Sequence, residues 1–174
     1  FGHKSMFIGS DARAPGLWWP THTPDGLGTL HLTYAGDRNR VRGEAWGPGA
    51  DWLLTQAPAL LGVHDEPETF RPSPGPVADL LSRRRRPLRF GQTGRVFEAL
   101  LPSILGQKVQ TQMAVRSLRG IVRRFGEPAP GPADLTAFPS AERIAELGYH
   151  EFHRFHVERK RADTVIRAAR AAPR

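Results

Sequence analysis

The stretch FEALLPSILGQKVQTQMAVRSL, residues 97 to 118, decides the fold of the helical part of this chain. Apolar residues recur on both sides of a Gly-Gln-Lys corner at the spacing of three and four that marks an amphipathic helix. The pattern predicts a helix from Thr93 or Gly94 to about Leu105 and a second helix from about Val109 to Phe125. Because Pro102 lies inside the first helix, we expect a kink there or a late start.

The front of the chain has the alternating pattern of strands. Residues 28–34, GTLHLTY, place apolar side chains on one face and polar side chains on the other. Residues 35–39, AGDRN, are typical of a turn, and the alternation resumes in residues 40–46, RVRGEAW. The two runs together predict a β-hairpin. Residues 1–26 show no clear periodicity, so we predict an irregular segment with one short strand at Ser5–Ile8.

The remaining helical patterns complete an α+β chain, a small antiparallel β domain followed by an α-helical bundle. The first predicted domain covers residues 1–75 and holds the strands and one helix. The second covers residues 76–174 and is helical, and the proline-rich residues 64–76 connect the two. Besides the pair above, the predicted helices are Trp52–Leu61, Val77–Arg84, a short helix capped by Ser140 that ends at Leu147, and Glu158–Ala172.

The composition excludes several classes of protein. The chain has 174 residues and no cysteine, so it has no disulfide framework, thiol nucleophile or thiolate metal site. No apolar run is long enough to cross a bilayer, and the start lacks a secretory pattern. These features fit a cytoplasmic protein, and the richness in Ala, Arg, Gly and Pro is typical of bacteria with GC-rich genomes. We therefore expect a bacterial, nucleoid-associated location and no membrane partner.

The charge is distributed unevenly along the chain. Residues 1–75 hold 6 Lys and Arg against 8 Asp and Glu, whereas residues 76–174 hold 19 against 9. A basic half favours a polyanionic partner, because lysines and arginines release counterions when they bind phosphates. The alternative is a face that serves solubility, but such faces usually mix both signs. The imbalance favours nucleic acid.

Several arginines and one lysine are candidate phosphate contacts. Arg116 belongs to a row of three arginines that align along one side of the second predicted helix, and the run of residues 83–86 is all arginine. Arg159, Lys160 and Arg161 open the last helix, where positive charge opposes the helix dipole. A phosphate bound at that helix end would favour them. A compensating Glu158 explains them equally well.

No pattern for catalysis, metal or cofactor emerges from the residues alone. Histidines at positions 150, 153 and 156 recur every third residue, but no second ligand cluster accompanies them, so we predict no metal site. The carboxylates of the basic half look like surface or capping residues, and no phosphate loop or nucleophile elbow occurs. We predict no cofactor and find no general base. The four tryptophans are expected in the core rather than in a pocket.

The corner and the segments after it resemble the helix-hairpin-helix DNA glycosylases, in particular the bacterial 3-methyladenine branch. That branch joins two helices through an aliphatic-Leu-Gly-Gln-x-Val run, which here is ILGQKV. Further similarities follow in order and cover nearly the whole chain. They are AWGPGADWLL at residues 45–54, RRFGEP at 123–128, LTAFPSAERIAEL at 135–147 and VERKRADTVIRAAR at 157–170.

The resemblance implies a repair enzyme that removes alkylated bases such as 3-methyladenine from duplex DNA by hydrolysing the glycosidic bond. Members flip the damaged base out of the stack and fill the gap from this corner through the minor groove. Carried over, Gln107 and Lys108 are the gap-filling residues and Gly106 permits the tight turn. The chain is expected to act as a monomer on damaged double-stranded DNA.

The family's Gly-rich hairpin and catalytic aspartate follow the basic helix, and this sequence stops at Arg174 before both. We therefore expect a partial glycosylase fold, no catalytic residue in this chain and no activity of this chain by itself. Two other functions remain open. The first alternative is a non-catalytic module that binds duplex DNA, and the second is a basic helical scaffold that binds proteins. Only DNA-binding functions predict salt-sensitive affinity for duplex DNA, and only gap filling predicts a preference for an abasic site.

Overall fold

A computed structural model of the protein describes residues 16–35, 40–84 and 88–172, except for the side chains of residues 34 and 35. The strand predicted at Ser5–Ile8 and the second half of the arginine run at 83–86 lie outside these residues. The predicted α+β class is confirmed, since a small antiparallel sheet is followed by several helices. No helix in the described part of the chain is both long enough and apolar enough to span a bilayer.

The sheet has three antiparallel strands in the order β1, β2, β3, with β1 at Leu17–Thr23, β2 at Gly26–Ala35 and β3 at Arg40–Trp46. The β2–β3 pair is the predicted hairpin, which the structure confirms. The prediction of an irregular segment is wrong for Leu17–Thr23, because β1 pairs with β2 along its whole length, while residues 1–15 lie outside the described ranges. The strand was not predicted because Pro20 lies inside it, and proline argues against a strand. Pro20 is tolerated because β1 is an edge strand, where one side of the backbone needs no partner.

The two faces of the sheet carry different side chains. On one face Trp19 and Leu30 are buried, as expected of core residues. On the other face the Trp18 and His31 rings stack with centroids 3.8 Å apart and planes 9° apart, and Trp46 stacks beside Trp18 at 5.6 Å. Trp18, Trp46 and Trp52 are only partly buried. The prediction that all four tryptophans lie in the core therefore holds for Trp19 alone.

The helices follow the sheet, and the predicted ones are confirmed with ends that differ by at most three residues. Pro102 does not break its helix, which begins late, at Val96 rather than at residue 93 or 94. One helix and two short strands escaped prediction, the helix α6 and the pair β4–β5. The elements are α1 Ala50–Leu60, a 3-10 turn at Pro67–Thr69, α2 Pro76–Ser82, α3 Val96–Leu105, α4 Thr111–Phe125, β4 Glu127–Pro128, β5 Thr136–Ala137, α5 Ala141–Ala145, α6 Tyr149–His153 and α7 Arg159–Ala171.

The apolar faces of α3, α4, α5, α6 and α7 meet in one core, whose fully buried side chains include Leu101, Ile121 and Phe152. The predicted cap of α5 is confirmed, because the Ser140 hydroxyl accepts a hydrogen bond from the Arg143 amide at 3.1 Å. Strand β1 is tied to this helical layer by the His22 ring, whose Nε2 lies 3.1 Å from the carbonyl oxygen of Phe138. Sheet and helical core therefore pack as one body.

The chain divides into two compact units, one formed by Phe1–Leu54 with Arg95–Arg174 and the other by Thr55–Gly94. Inside the smaller unit, the Arg89 guanidinium donates to the Asp65 carbonyl at 2.8 Å and the Phe90 amide donates to the Asp65 carboxylate at 2.9 Å. These contacts hold its loop segments together. The division into domains at residue 75 stays a prediction.

Candidate nucleic-acid interface

The predicted corner is a tight turn between α3 and α4. Helix α3 ends at Leu105, the three residues after it are exposed, and α4 begins at Thr111. The Gly106 amide donates to the Pro102 carbonyl at 3.0 Å and the Gln107 amide donates to the Ile104 carbonyl at 3.2 Å, so the helical turn continues into the corner. The corner therefore projects polar side chains from the junction of two core helices.

The backbone conformation corrects the role predicted for Gly106. Its φ of −81° and ψ of −6° are ordinary right-handed helical values, so the turn does not need a glycine there. The residue that takes the left-handed conformation is Lys108, with φ of 55°. A non-glycine residue in that region is uncommon and costs roughly 1–2 kcal/mol. The chain thus holds a strained residue at the tip of the exposed corner, and strained residues concentrate at functional sites.

Arg161 supports the corner from inside the protein. Its side chain is only 7% exposed, and its guanidinium donates to the carbonyl oxygen of Leu105 at 3.0 Å. That carbonyl is one of those left without a helical partner at the end of α3, where a positive charge also suits the dipole. Glu158 lies 3.4 Å from the guanidinium and balances its charge. Arg161 is therefore corrected from a predicted phosphate contact to a residue that positions the corner.

The other predicted phosphate contacts lie at the surface. Arg159 is highly exposed, lies 3.9 Å from the Asp163 carboxylate and packs over the Tyr149 ring. Lys160 is exposed as well. Arg116 is exposed on α4 and has no hydrogen-bond or ion-pair partner among the residues that the structure describes. These three remain predicted phosphate contacts.

A groove runs along the exposed side of α4 and has a volume of about 740 Å³. The three aligned arginines of α4 line it, as predicted from their spacing. The structure adds Arg154 and Phe155 from the turn after α6, which sequence reasoning assigned to no site. None of the described residues that line this groove carries a carboxylate. Its electrostatic potential is consequently positive along its length.

Glu98 is a buried carboxyl group on α3 that sequence reasoning missed. It is 6% exposed and accepts a hydrogen bond of 2.5 Å from the Thr21 hydroxyl of β1. Burial raises the pKa of Glu98 to about 7, although the hydrogen bond from Thr21 and the positive charge of Arg95 oppose the rise. The signal was present in the sequence, because Glu98 stands three and seven residues before Leu101 and Leu105 on the apolar stripe.

The three histidines of the α6 region do not converge. His150 lies 3.5 Å from the Glu151 carboxylate, His153 packs edge-on against the Tyr149 ring, and His156 lines the groove. Within the described ranges no group of three or more His, Asp or Glu side chains is placed to hold a metal ion.

Three solved structures with a similar arrangement of sheet and helices are DNA glycosylases. A 3-methyladenine DNA glycosylase from Archaeoglobus fulgidus superposes with a TM-score of 0.66 at 20% identity, over 87% of this chain and 54% of that one. At this identity the likeness is one of fold, the arrangement of a small sheet and several helices. Sequence comparison alone does not reveal this, since no protein-family profile and no curated protein sequence matches the chain.

Two further DNA glycosylases share the fold. MBOgg1, solved in complex with a low affinity DNA ligand, has a TM-score of 0.60 at 15% identity, over 98% of this chain and 58% of that one. An 8-oxoguanine glycosylase/lyase from Clostridium acetobutylicum, solved with double-stranded DNA containing cytosine opposite 8-oxoG, has a TM-score of 0.50 at 10% identity, over 88% of this chain and 55% of that one. This chain therefore spans little more than half the length of these glycosylases.

Proposed function

We propose that this chain is the DNA-engaging portion of a DNA repair glycosylase that removes alkylated bases, such as 3-methyladenine, from duplex DNA. The observation that carries the proposal is the exposed corner at residues 106–108, which joins two core helices in a glycosylase fold. Preference for alkylated bases rests on the resemblance of the corner and its flanking segments to the 3-methyladenine branch. Within this proposal the protein acts as a monomer in a bacterial cytoplasm, on the nucleoid.

The corner has the properties that gap filling needs. Gln107 and Lys108 are exposed, while the backbone behind them is anchored by the Arg161 guanidinium on Leu105. A base that leaves the stack costs a few kcal/mol, and side chains that enter the gap offset part of that cost. The Gln107 amide can donate to and accept from an unpaired base, and the lysine can lay its methylenes against the bases while its ammonium group reaches a phosphate.

The chemical step needs a carboxylate that the described residues do not place near the corner. Hydrolysis of a glycosidic bond passes through an oxocarbenium-like state that a carboxylate stabilises. Glu98 is buried against β1, and no described carboxylate lies in the corner itself. We therefore assign recognition and gap filling to this chain, and expect it to release no base from methylated DNA when it is assayed alone.

The test compares two duplexes of equal length, one with a central abasic analogue and one intact. Binding of each labelled duplex is followed by fluorescence anisotropy for the wild type and for the variants Gln107→Ala and Lys108→Ala. We expect the corner variants to weaken binding to the abasic duplex by roughly fivefold to tenfold, the size of a contact of about 1 kcal/mol, and to the intact duplex by less than twofold. Gln92→Ala, an exposed glutamine outside the corner, should change neither affinity.

The outcomes separate the three functions. Selective loss on the abasic duplex supports gap filling. Equal loss on both duplexes contradicts it and leaves a module that binds duplex DNA without inserting into it. Salt-insensitive or absent binding to both duplexes contradicts every DNA-binding function and favours a scaffold for proteins.

A further inference from the structure

Four arginines of the larger compact unit stand apart from the rest. The described arginines elsewhere in that unit each interact with at least one polar or aromatic group, as in Arg143 with Glu146 at 3.5 Å or Arg42 with Glu44 at 3.5 Å. The exceptions have no described hydrogen-bond, ion-pair or ring partner, and all of them line the groove on α4. They are Arg116, Arg119, Arg123 and Arg154.

Concentrating these guanidiniums in one groove is unfavourable for the free protein, because like charges repel and none of the described lining residues is a carboxylate that would offset them. Three of the four follow one another at spacings of three and four on α4, so they form a row along one face. Arg154 comes from a different element and faces the same groove. A bound anion would relieve the repulsion, which favours a polyanionic ligand.

The floor of the groove is apolar and fixed in place. Val115 and Phe155 contribute to its lining. The Ser117 hydroxyl contacts the carbonyl oxygens of Phe155 and Met113, at 2.7 Å and 3.0 Å, which holds the turn after α6 against α4. At Gly120 an added methyl group would come within 2.5 Å of the Phe155 ring, so the ring lies directly on the helix backbone.

The rim of the groove includes a second strained residue. His156 follows Phe155 and has φ of 58°, the left-handed conformation that a non-glycine residue seldom adopts. The hydrogen bond from Ser117 and the aromatic packing hold this turn in its conformation. The groove is therefore preorganised, and a ligand would bind without first ordering the turn.

The shape of the groove favours a single strand over a duplex. A duplex is stiff and presents its phosphates on a convex surface, whereas this groove is concave and has the volume of a small-ligand site. A basic groove that follows the backbone, together with an aromatic side chain for a base or sugar, is the usual combination in proteins that bind single strands. An acidic protein segment is the alternative ligand, and competition by polyglutamate tests it.

We propose that the groove formed by α4 and the turn at residues 154–156 binds single-stranded DNA, with the phosphates on the four arginines and a base or sugar on Val115 and Phe155. The choice of DNA rests on the proposed function, but the groove is separate from the corner at residues 106–108. Corner variants and groove variants therefore test different surfaces, and one can fail while the other holds.

The experiment measures the affinity of the 174-residue chain for a short labelled oligothymidine over a range of salt concentrations. The double variant Arg119→Ala/Arg123→Ala removes two phosphate contacts, so the slope of log K against log salt should fall by about 1.4 and the affinity at about 0.1 M salt by roughly 25-fold. The control Arg167→Ala/Arg170→Ala removes the same charge from exposed positions on α7 and should change the slope much less.

Phe155→Leu separates stacking from charge. It keeps most of the apolar volume against Phe125 and removes the aromatic face, so we expect roughly a fivefold or greater loss of affinity without a change in the salt slope. Circular dichroism melts of each variant establish that the fold is retained. Intact duplex of the same sequence composition and polyglutamate serve as competing ligands for the wild type.

Several results would overturn this proposal. An equal loss of slope in the α7 control would mean that only net charge matters. An equal loss of duplex and single-strand affinity in the groove variant would assign the arginines to a duplex surface, and effective competition by polyglutamate would make the groove a general polyanion site. If Phe155→Leu binds the oligothymidine with unchanged affinity, no base or sugar contacts the aromatic floor.

Discussion

Replacing Glu98 by glutamine should remove a pH dependence of stability that is built into the junction of α3 with β1. The carboxyl group is buried and accepts a hydrogen bond from Thr21, and burial raises the pKa of Glu98 to about 7. Glutamine has nearly the same shape as the protonated acid and carries no charge at any pH. The variant therefore retains the packing and loses the titration.

The size of the effect follows from the pKa values in the two states. In the unfolded chain the group titrates near its ordinary pKa of 4.5, so between that pH and about 7 the folded protein holds a proton that the unfolded chain has released. Because the folded-state pKa is raised, the contribution to stability is fully present below pH 4.5 and is lost as pH rises through 7. At about 1.4 kcal/mol per pKa unit the loss amounts to about 3 kcal/mol.

The assay is urea denaturation at a series of pH values from 5 to 8.5, with thermal melts in parallel. We expect Glu98→Gln and the wild type to differ little at pH 5 and the variant to be more stable by about 3 kcal/mol at pH 8.5. For a chain of this length that corresponds to a melting temperature higher by roughly 6–12 °C. Comparing the two proteins at each pH cancels the titration of the remaining groups.

The control is Glu146→Gln on the exposed end of α5, which should shift stability by less than about 0.5 kcal/mol at every pH. Parallel curves for Glu98→Gln and the wild type from pH 5 to 8.5 would refute the reasoning, since they would mean that Glu98 titrates alike in both states. A variant that is less stable at high pH would show that the charged carboxylate is stabilised in the fold rather than desolvated.

Three further substitutions test the corner and its surroundings. Lys108→Gly relieves the strain of the left-handed backbone, so the free energy of unfolding in urea should rise by up to about 1 kcal/mol. The preference of the variant for an abasic duplex should fall, and a loss of stability would contradict the strain. Arg161→Met leaves the Leu105 carbonyl without its buried donor and should lower the free energy of unfolding by about 2 kcal/mol. Arg161→Lys should recover only part of that loss, and an unchanged midpoint of urea denaturation in Arg161→Met would contradict the buried contact. Gly126→Ala would place a methyl group 2.4 Å from the Ala137 carbonyl oxygen, so the melting temperature should fall by several degrees. An unchanged melting temperature would show that the end of α4 and strand β5 can separate at low cost.

The parts of the fold that local periodicity determines could be predicted from the sequence. The α3–α4 pair and the β2–β3 hairpin each show one clear apolar face, and the Ser140 cap has a local chemical signature. The elements that were missed have no such local signal. Strand β1 is interrupted by Pro20, and β4 and β5 are too short for a period to emerge.

The candidate site was harder to predict than the fold, because its residues take their roles from distant partners. The position of the corner could be predicted, but the left-handed residue could not, since Gly106 is the obvious choice for a turn and Lys108 is the residue that adopts it. Phe155 belongs to the groove only because α4 presents Gly120 opposite its ring. The contact between Phe155 and Gly120 is not local in sequence, so no short window of residues contains both partners.

The positive charge at the start of α7 shows how a partner distant in sequence determines the role of a residue. Three cations open this helix, against its dipole, and a bound phosphate or a compensating Glu158 explain them equally well from the sequence. In the structure Arg161 points into the protein, where it stabilises the C-terminal end of α3 and is balanced by Glu158. The positive charge of Arg161 interacts unfavourably with the dipole of α7 and favourably with the dipole of α3. If gap filling strains the corner, Arg161 is the contact that resists the strain, because it anchors the last carbonyl before Gly106. The same substitution, Arg161→Met, should therefore weaken binding to an abasic duplex more than to an intact one, although residue 161 itself is buried away from DNA.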